Sequence, residues 1–180
     1  MIQIKNSELK PILTALDNIT QRCRFYPSLA LKIIKIKKRI KEQLDDILDA
    51  CKITDPEFTN YVRDYTNIIL KYCKKDEFNN PVRTESGIFI FETPESYEQF
   101  SKEMEELDAS NPNGAKLNRE QEKKLQELLE QYFTIQEDPI NADLLGDNII
   151  PISELEILYN SGIIIQEEEN KDISTNDTKS

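Results

Sequence analysis

Seven apolar residues, Leu29, Ile33, Ile36, Ile40, Leu44, Ile47 and Cys51, recur at spacings of 4, 3, 4, 4, 3 and 4. Only an α-helix brings such a series onto one face, because residues three and four apart lie one turn above each other. The seam lasts about seven turns, and its near-heptad spacing favours shallow packing against a neighbouring helix. Pro27 is placed to open this helix. After it, Asp55 can cap a second helix with Pro56 in the first helical position, or Thr54 and Glu57 can form a capping box. Phe58, Tyr61, Val62, Tyr65, Ile68, Ile69 and Tyr72 give that helix its apolar stripe. The short connection from Lys52 to Asp55 predicts that the two run antiparallel as a hairpin.

Shorter signals surround this spine. Ile2 and Ile4 alternate with polar neighbours as in a strand. Asn6 or Ser7 can cap a helix that places Leu9, Ile12, Leu13, Leu16 and Ile19 on one face. Val82 to Thr84 and Ile88 to Phe91 flank Glu85-Ser86-Gly87 and read as a β-hairpin, with Ile2 to Ile4 expected as its third strand. Thr93-Pro94 starts an acidic amphipathic helix carrying Tyr97, Phe100, Met104 and Leu107. Residues 109–117 hold Ser110, Asn111, Pro112, Asn113 and Gly114 and are the best internal linker, after which Asn118 is expected to cap a further helix. Thr134 to Ile140 reads as a short strand, and Ser153 to Asn160 as a short helix stopped by Gly162. The fold expected is mainly α (α+β): a long antiparallel helical hairpin, a small antiparallel sheet and C-terminal acidic helices. Residues 1–165 form a single domain in this reading, and 166–180 are too polar to pack.

Composition narrows the chemistry. Among 180 residues there is no histidine, which removes the usual general base and the commonest transition-metal ligand. Four glycines supply neither a P-loop nor a G-x-G-x-x-G fingerprint. Cys23, Cys51 and Cys73 are odd in number and widely spaced, so they read as buried thiols and not as a disulfide framework or zinc site. No apolar run is long enough to span a membrane, and Met1 to Asn6 lacks the character of a secretion signal. The expectation is a non-enzyme with no catalytic, metal or cofactor-binding residues, located in the cytoplasm.

Charge is distributed unevenly. The net charge is −11, yet residues 22–41 carry eight bases and no acid. Residues 1–91 hold 16 bases against 12 acids, and 92–180 hold 7 against 22. Lys32, Lys35, Lys38, Arg39 and Lys41 fall along one outer side of the long helix, a candidate surface for an acidic partner. A solvated face, or docking of the chain's own acidic helices, accounts for the same pattern. Overall acidity disfavours nucleic acid, since the remaining surface repels phosphate. Glu95, Glu103 and Glu106 mark the candidate acidic face. Asp45 and Asp49 share a face while Asp46 is turned away, so these carboxylates read as a solvated helix surface and not a metal site.

In the order of its parts the chain resembles a family of small uncharacterised proteins of bacteriophages and prophages of low-GC Gram-positive bacteria. The resemblance rests on Ile4-Lys5-Asn6-Ser7-Glu8-Leu9 followed by Leu13 and Leu16, then the Lys-rich helix. It continues through the turn from Lys71 to Val82 and ends on Ile152-Ser153-Glu154-Leu155-Glu156-Ile157-Leu158. It implies a phage origin and a helical fold, and brings no catalytic residue with it. The function expected is a phage accessory protein acting through protein-protein contacts, in assembly or as an oligomeric accessory, in the host cytoplasm or on the virion. Its partner would be itself, a phage structural protein or a host protein. The alternative is an acidic inhibitor that mimics a phosphate backbone toward a host nucleic-acid-binding or defence protein.

Overall fold

The computed structural model describes residues 1–84 and 87–166. Among these the chain is mainly helical, with six α-helices: α1 Leu9–Arg22, α2 Pro27–Ala50, α3 Pro56–Tyr72, α4 Pro94–Ser110, α5 Pro112–Leu129 and α6 Ile152–Asn160. Four short strands accompany them, β1 Ile2–Lys5, β2 Tyr132–Ile135, β3 Ile140–Asn141 and β4 Ile164–Ile165. The chain divides into two compact units. The first joins Met1–Leu48 to the segment from Leu128 onward, and the second is Asp49–Glu127. The polar tail expected to be unpacked lies, from residue 167, outside the described residues.

In the first unit β1 pairs antiparallel with β2, setting Ile2 opposite Ile135 and Ile4 opposite Phe133. This corrects the expectation that Ile88–Phe91 would be the neighbour of β1. The alternation in β1 buries Ile2 and Ile4 on one face, and Ile135 of β2 is buried with them. β3 and β4 form a separate parallel pair, Ile140 opposite Ile164. α1 packs against α6. The α2 seam behaves as its spacing requires: Leu29, Ile33, Ile36, Ile40 and Ile47 are buried, and Leu44 is half-buried. α1 contributes Leu9, Ile12, Ala15, Leu16 and Ile19 to the same core. Lys37 joins the two helices, reaching Asp17 at 2.5 Å and the Thr20 hydroxyl at 3.2 Å.

Asn6 does not cap α1. It is 2 % exposed, donating from Nδ2 to the Leu128 carbonyl at 2.8 Å while its backbone N–H donates to the Gln131 carbonyl. An amide sealed away from water requires such partners, and here it closes the end of α5 instead of starting α1.

In the second unit α3 begins as one of the two expected caps requires: Asp55 Oδ1 accepts the N–H groups of Glu57 and Phe58, with Pro56 in the first position. Within this unit α3 packs against α4. The stretch 109–117 is no linker. α4 runs to Ser110, Asn111 alone breaks the helix, and α5 starts at Pro112, six residues before the expected cap at Asn118. Asn111 accounts for the difference, since its Oδ1 accepts the Gly114 N–H at 3.0 Å and caps the helix that Pro112 opens. Between α3 and α4 three segments bond in a closed cycle. Lys74 N–H donates to the Ile90 carbonyl, Ile90 N–H to that of Val82, and Val82 N–H to that of Lys74. The expected hairpin survives as the bridge of Arg83 to Phe89, with Cys73 facing Phe91 across the other side.

Candidate functional site

The basic side of α2 is the first surface to locate, and the first unit sorts its charge sharply. Residues 1–48 carry ten bases against five acids, and 128–166 carry seven acids and no base. The unit therefore builds one polypeptide stretch onto its electrostatic complement. Lys5 pairs with Glu130 at 2.7 Å, and this carboxylate is the main reason its ammonium is held above the ordinary lysine value. Lys32 donates to the Pro139 carbonyl at 2.8 Å, and Lys35 lies 3.6 Å from Glu137. Lys38 and Arg39 both meet Glu42 on their own helix. Lys41 is exposed, as are Lys35, Lys38 and Arg39. Lys35 and Lys38 lie opposite the seam, whereas Lys32 and Lys41, nine residues apart, fall on opposite flanks of the helix, and Lys32 is half-buried and spent on a backbone carbonyl. The acids that meet α2 in ion pairs within the first unit include Asp17, Glu42 and Glu137.

The proposed acidic face divides as well. Glu103 accepts from Lys71 and from the Tyr72 hydroxyl at 2.7 Å, contacts that hold its carboxyl below the usual glutamate value. The same contact pushes Lys71 up to about 12. Glu95 sits in the first turn of α4, where its own backbone N–H and the Thr93 hydroxyl lower its pKa. Glu106 is exposed. One of the three carboxylates is thus already matched by a base of its own unit. Nearby, Asp108 accepts from the Tyr61 hydroxyl at 2.7 Å and from Arg119 at 2.6 Å. Burial, then the Asp108 carboxylate, drives the Tyr61 phenol well above its ordinary value. Among the described residues no group of three or more Cys, Asp or Glu side chains is arranged to hold a metal ion.

Sequence reasoning passed over an apolar surface. α6 buries Leu158 against the unit and turns Ile152, Leu155 and Tyr159 outward. Those three, spaced three and four apart, form one stripe on the helix, and Ile149, before the helix start, is exposed as well. Ile149 is 93 % exposed, Ile152 74 % and Tyr159 56 %. The stripe is held in place from below. Asn148 accepts the Arg24 N–H and donates to the Arg24 and Leu145 carbonyls, and Glu154 accepts from Asn18 of α1. A hydrogen bond from Ser153, foremost, keeps Glu154 ionised below the usual value. The clue was present in the sequence: a helix as short as Ile152–Asn160 carries Ile152, Leu155, Ile157, Leu158 and Tyr159, more apolar side chains than one buried stripe can hold.

α2 shows a second surface of this kind. Leu31 and Ile34 are 60 % and 57 % exposed on the side opposite the seam, in line with Lys38 and Lys41. On α2 the exposed Lys38 and Lys41 flank Leu31 and Ile34, and on α6 the exposed Glu156 lies one turn from Ile152. No protein-family model, curated protein or solved structure matches the chain. No helix among the described residues is long and apolar enough to cross a membrane.

Proposed function

We propose that the protein is a non-enzymatic accessory protein of phage or prophage origin that acts through protein-protein contacts, in particle assembly or as an oligomeric accessory, in the host cytoplasm or on the virion. The observation that carries this reading is the stripe Ile152, Leu155 and Tyr159 of α6, apolar and outward-facing on a helix that Glu154 ties to Asn18 of α1. Clustered exposed apolar side chains on a rigid element are the mark of a protein-contact surface. The phage origin is supported by the order of sequence parts from Ile4 to Leu158. Phosphate-backbone mimicry by Glu95, Glu103 and Glu106 has less behind it, because Lys71 neutralises Glu103.

Tagged protein at native level, recovered from host cells before and after phage induction, tests this by mass spectrometry of soluble and particle fractions. Recovery in fixed stoichiometry with particle components, or with one soluble protein, is expected. Recovery with a nucleic-acid-binding protein that the bound chain displaces from DNA would move the reading to mimicry. A catalytic turnover that accounts for the cellular phenotype would overturn it.

A further inference from the structure

We infer that Asn113 is a site of covalent modification, a deamidation centre that the folded second unit keeps closed and that opening of this unit releases. Asn113-Gly114 is the one Asn-Gly pair in the chain. A glycine after asparagine leaves the backbone nitrogen unshielded and free to turn, so the asparagine side chain cyclises most readily there. The Gly114 nitrogen attacks the Asn113 side-chain carbon, closes a five-membered imide and expels ammonia, which carries off the proton lost by the backbone amide. Water then opens the ring at either carbonyl, leaving an aspartate or, more often, an isoaspartate. Water is the sole co-reactant, and Asn113 is exposed to it on an open cleft of about 360 Å³ lined by Glu57, Asn60, Ser110, Asn111, Pro112 and Asn113.

Three contacts hold the reaction off in the fold. The attacking nitrogen is occupied, because Gly114 N–H donates to Asn111 Oδ1 at 3.0 Å. In the first turn of a helix that N–H has no intrahelical acceptor, so without this cap it would be free. The leaving amide is held too, since Asn113 Nδ2 donates to Glu57 Oε2 at 2.7 Å. The backbone is the third restraint. Ring closure requires Asn113 to leave helical geometry, and Gly114 is buried so closely against Tyr61 of α3 that even a Cβ would meet the Tyr61 Cβ at 2.5 Å. The turn rotates only when α5 lifts from α3. The product does not fit the place it came from. An aspartate would set a carboxylate against the Glu57 carboxylate to which the amide now donates, and like charges at that range repel. An isoaspartate would add a backbone atom to the turn that Asn111 caps. Modification is therefore one-way: a unit that opens and reacts closes less tightly and opens more often, so its lifetime is limited by its own opening.

The full-length chain tests this during incubation in mildly alkaline buffer, over a urea series from none to full unfolding, with peptide mass spectrometry that separates aspartyl from isoaspartyl products at Asn113. The native chain should react at least about tenfold more slowly than the unfolded one, a factor set by how rarely the unit opens. The rate should rise with urea below the main transition, in step with hydrogen exchange at α3 amides. Asn111→Ala frees the Gly114 N–H and should speed the native reaction several-fold while leaving the rate in full urea unchanged; circular dichroism establishes that the variant keeps the wild-type helix content. The urea series needs only the wild-type chain and decides the matter even where the variant fails to fold. A native rate equal to the unfolded rate overturns the inference, as does a rate that stays flat until the main transition. A folded Asn111→Ala chain that reacts no faster than wild type overturns it as well.

Discussion

Gly114 is the residue at which two general rules give opposite signs. In the middle of an ordinary helix, Gly→Ala stabilises by about 1 kcal/mol. Here a Cβ would lie 2.5 Å from the Tyr61 Cβ and 2.8 Å from Asn111 Oδ1. The glycine lets α5 lie directly on α3, and Asn111 is itself the cap of α5. Gly114→Ala should therefore destabilise by roughly 1–3 kcal/mol, the range for an overpacked core site, read from urea denaturation; a stabilised variant would show that α5 can move aside. Glu103 supports a second prediction. Its folded pKa is below the ordinary glutamate value of 4.5, first because of Lys71 and then Tyr72. Such a carboxylate adds stability above its unfolded pKa and loses that contribution as pH falls through the folded value. Lys71, raised to about 12, contributes below 10.5 and loses its share as pH rises through 12. Glu103→Gln should thus lower Tm at pH 7, and the deficit should shrink as pH falls through the folded value of the carboxylate. A deficit that stays constant across the whole acid range would mean that the loss is packing and not charge.

Elements with strong local signals were legible, and those settled by distant partners were not. α2 could be read because its seam is helical by spacing alone, and α3 because Asp55-Pro56 is a start signal with a mechanism. The start of α5 was also written locally, in Asn111-Pro112, but Gly114 weighed toward a linker where its true role is close packing. β1 offered an unmistakable alternation, yet nothing in four residues says whether Phe133 or Phe89 will lie beside Ile4. The basic side of α2 was visible as a stripe, whereas its neutralisation by Glu137 and Glu42 depended on the fold. α6 was visible as a helix, and its outer stripe was missed because only Leu158 of its apolar set is fully buried. The anchor of that helix makes its own prediction. Asn148 imitates a strand neighbour, bonding both the N–H and the carbonyl of Arg24. Asn148→Ala should cost about 1 kcal/mol, since Arg24 is exposed enough to regain water. Its clearer sign is faster hydrogen exchange at the Arg24 amide with α1 amides unchanged; Asn148→Asp, which can accept from that amide but not donate back, should fall between.

At the scale of the whole chain, the two units are built on unequal cores. Of the 24 buried apolar residues among those described, 18 lie in Met1–Leu48 or beyond Leu128, and only Cys51, Phe58, Tyr61, Ile69, Cys73 and Ala115 lie in the second unit. α4 buries no residue fully and holds to α3 through half-buried side chains and polar contacts such as Tyr61 to Asp108 and Lys71 to Glu103. Buried apolar area is the main source of stability, and a unit with a third as many buried side chains opens at lower free energy. Continuity also matters. The second unit is one unbroken segment, so it can open without unthreading the first, whose halves come from both sides of it. Native-state hydrogen exchange under increasing urea should therefore show α3 and α4 amides released together, below the free energy at which α1 and the buried half of α2 exchange. α5 is the informative element, since it runs from Pro112 in the second unit to Leu129 in the first. Its early turns should exchange with α3, and its last turn, closed by Asn6, with the first unit. One common free energy for all six helices would mean that the two units unfold as one, and that the polar contacts of α4 stabilise far more than their exposure allows.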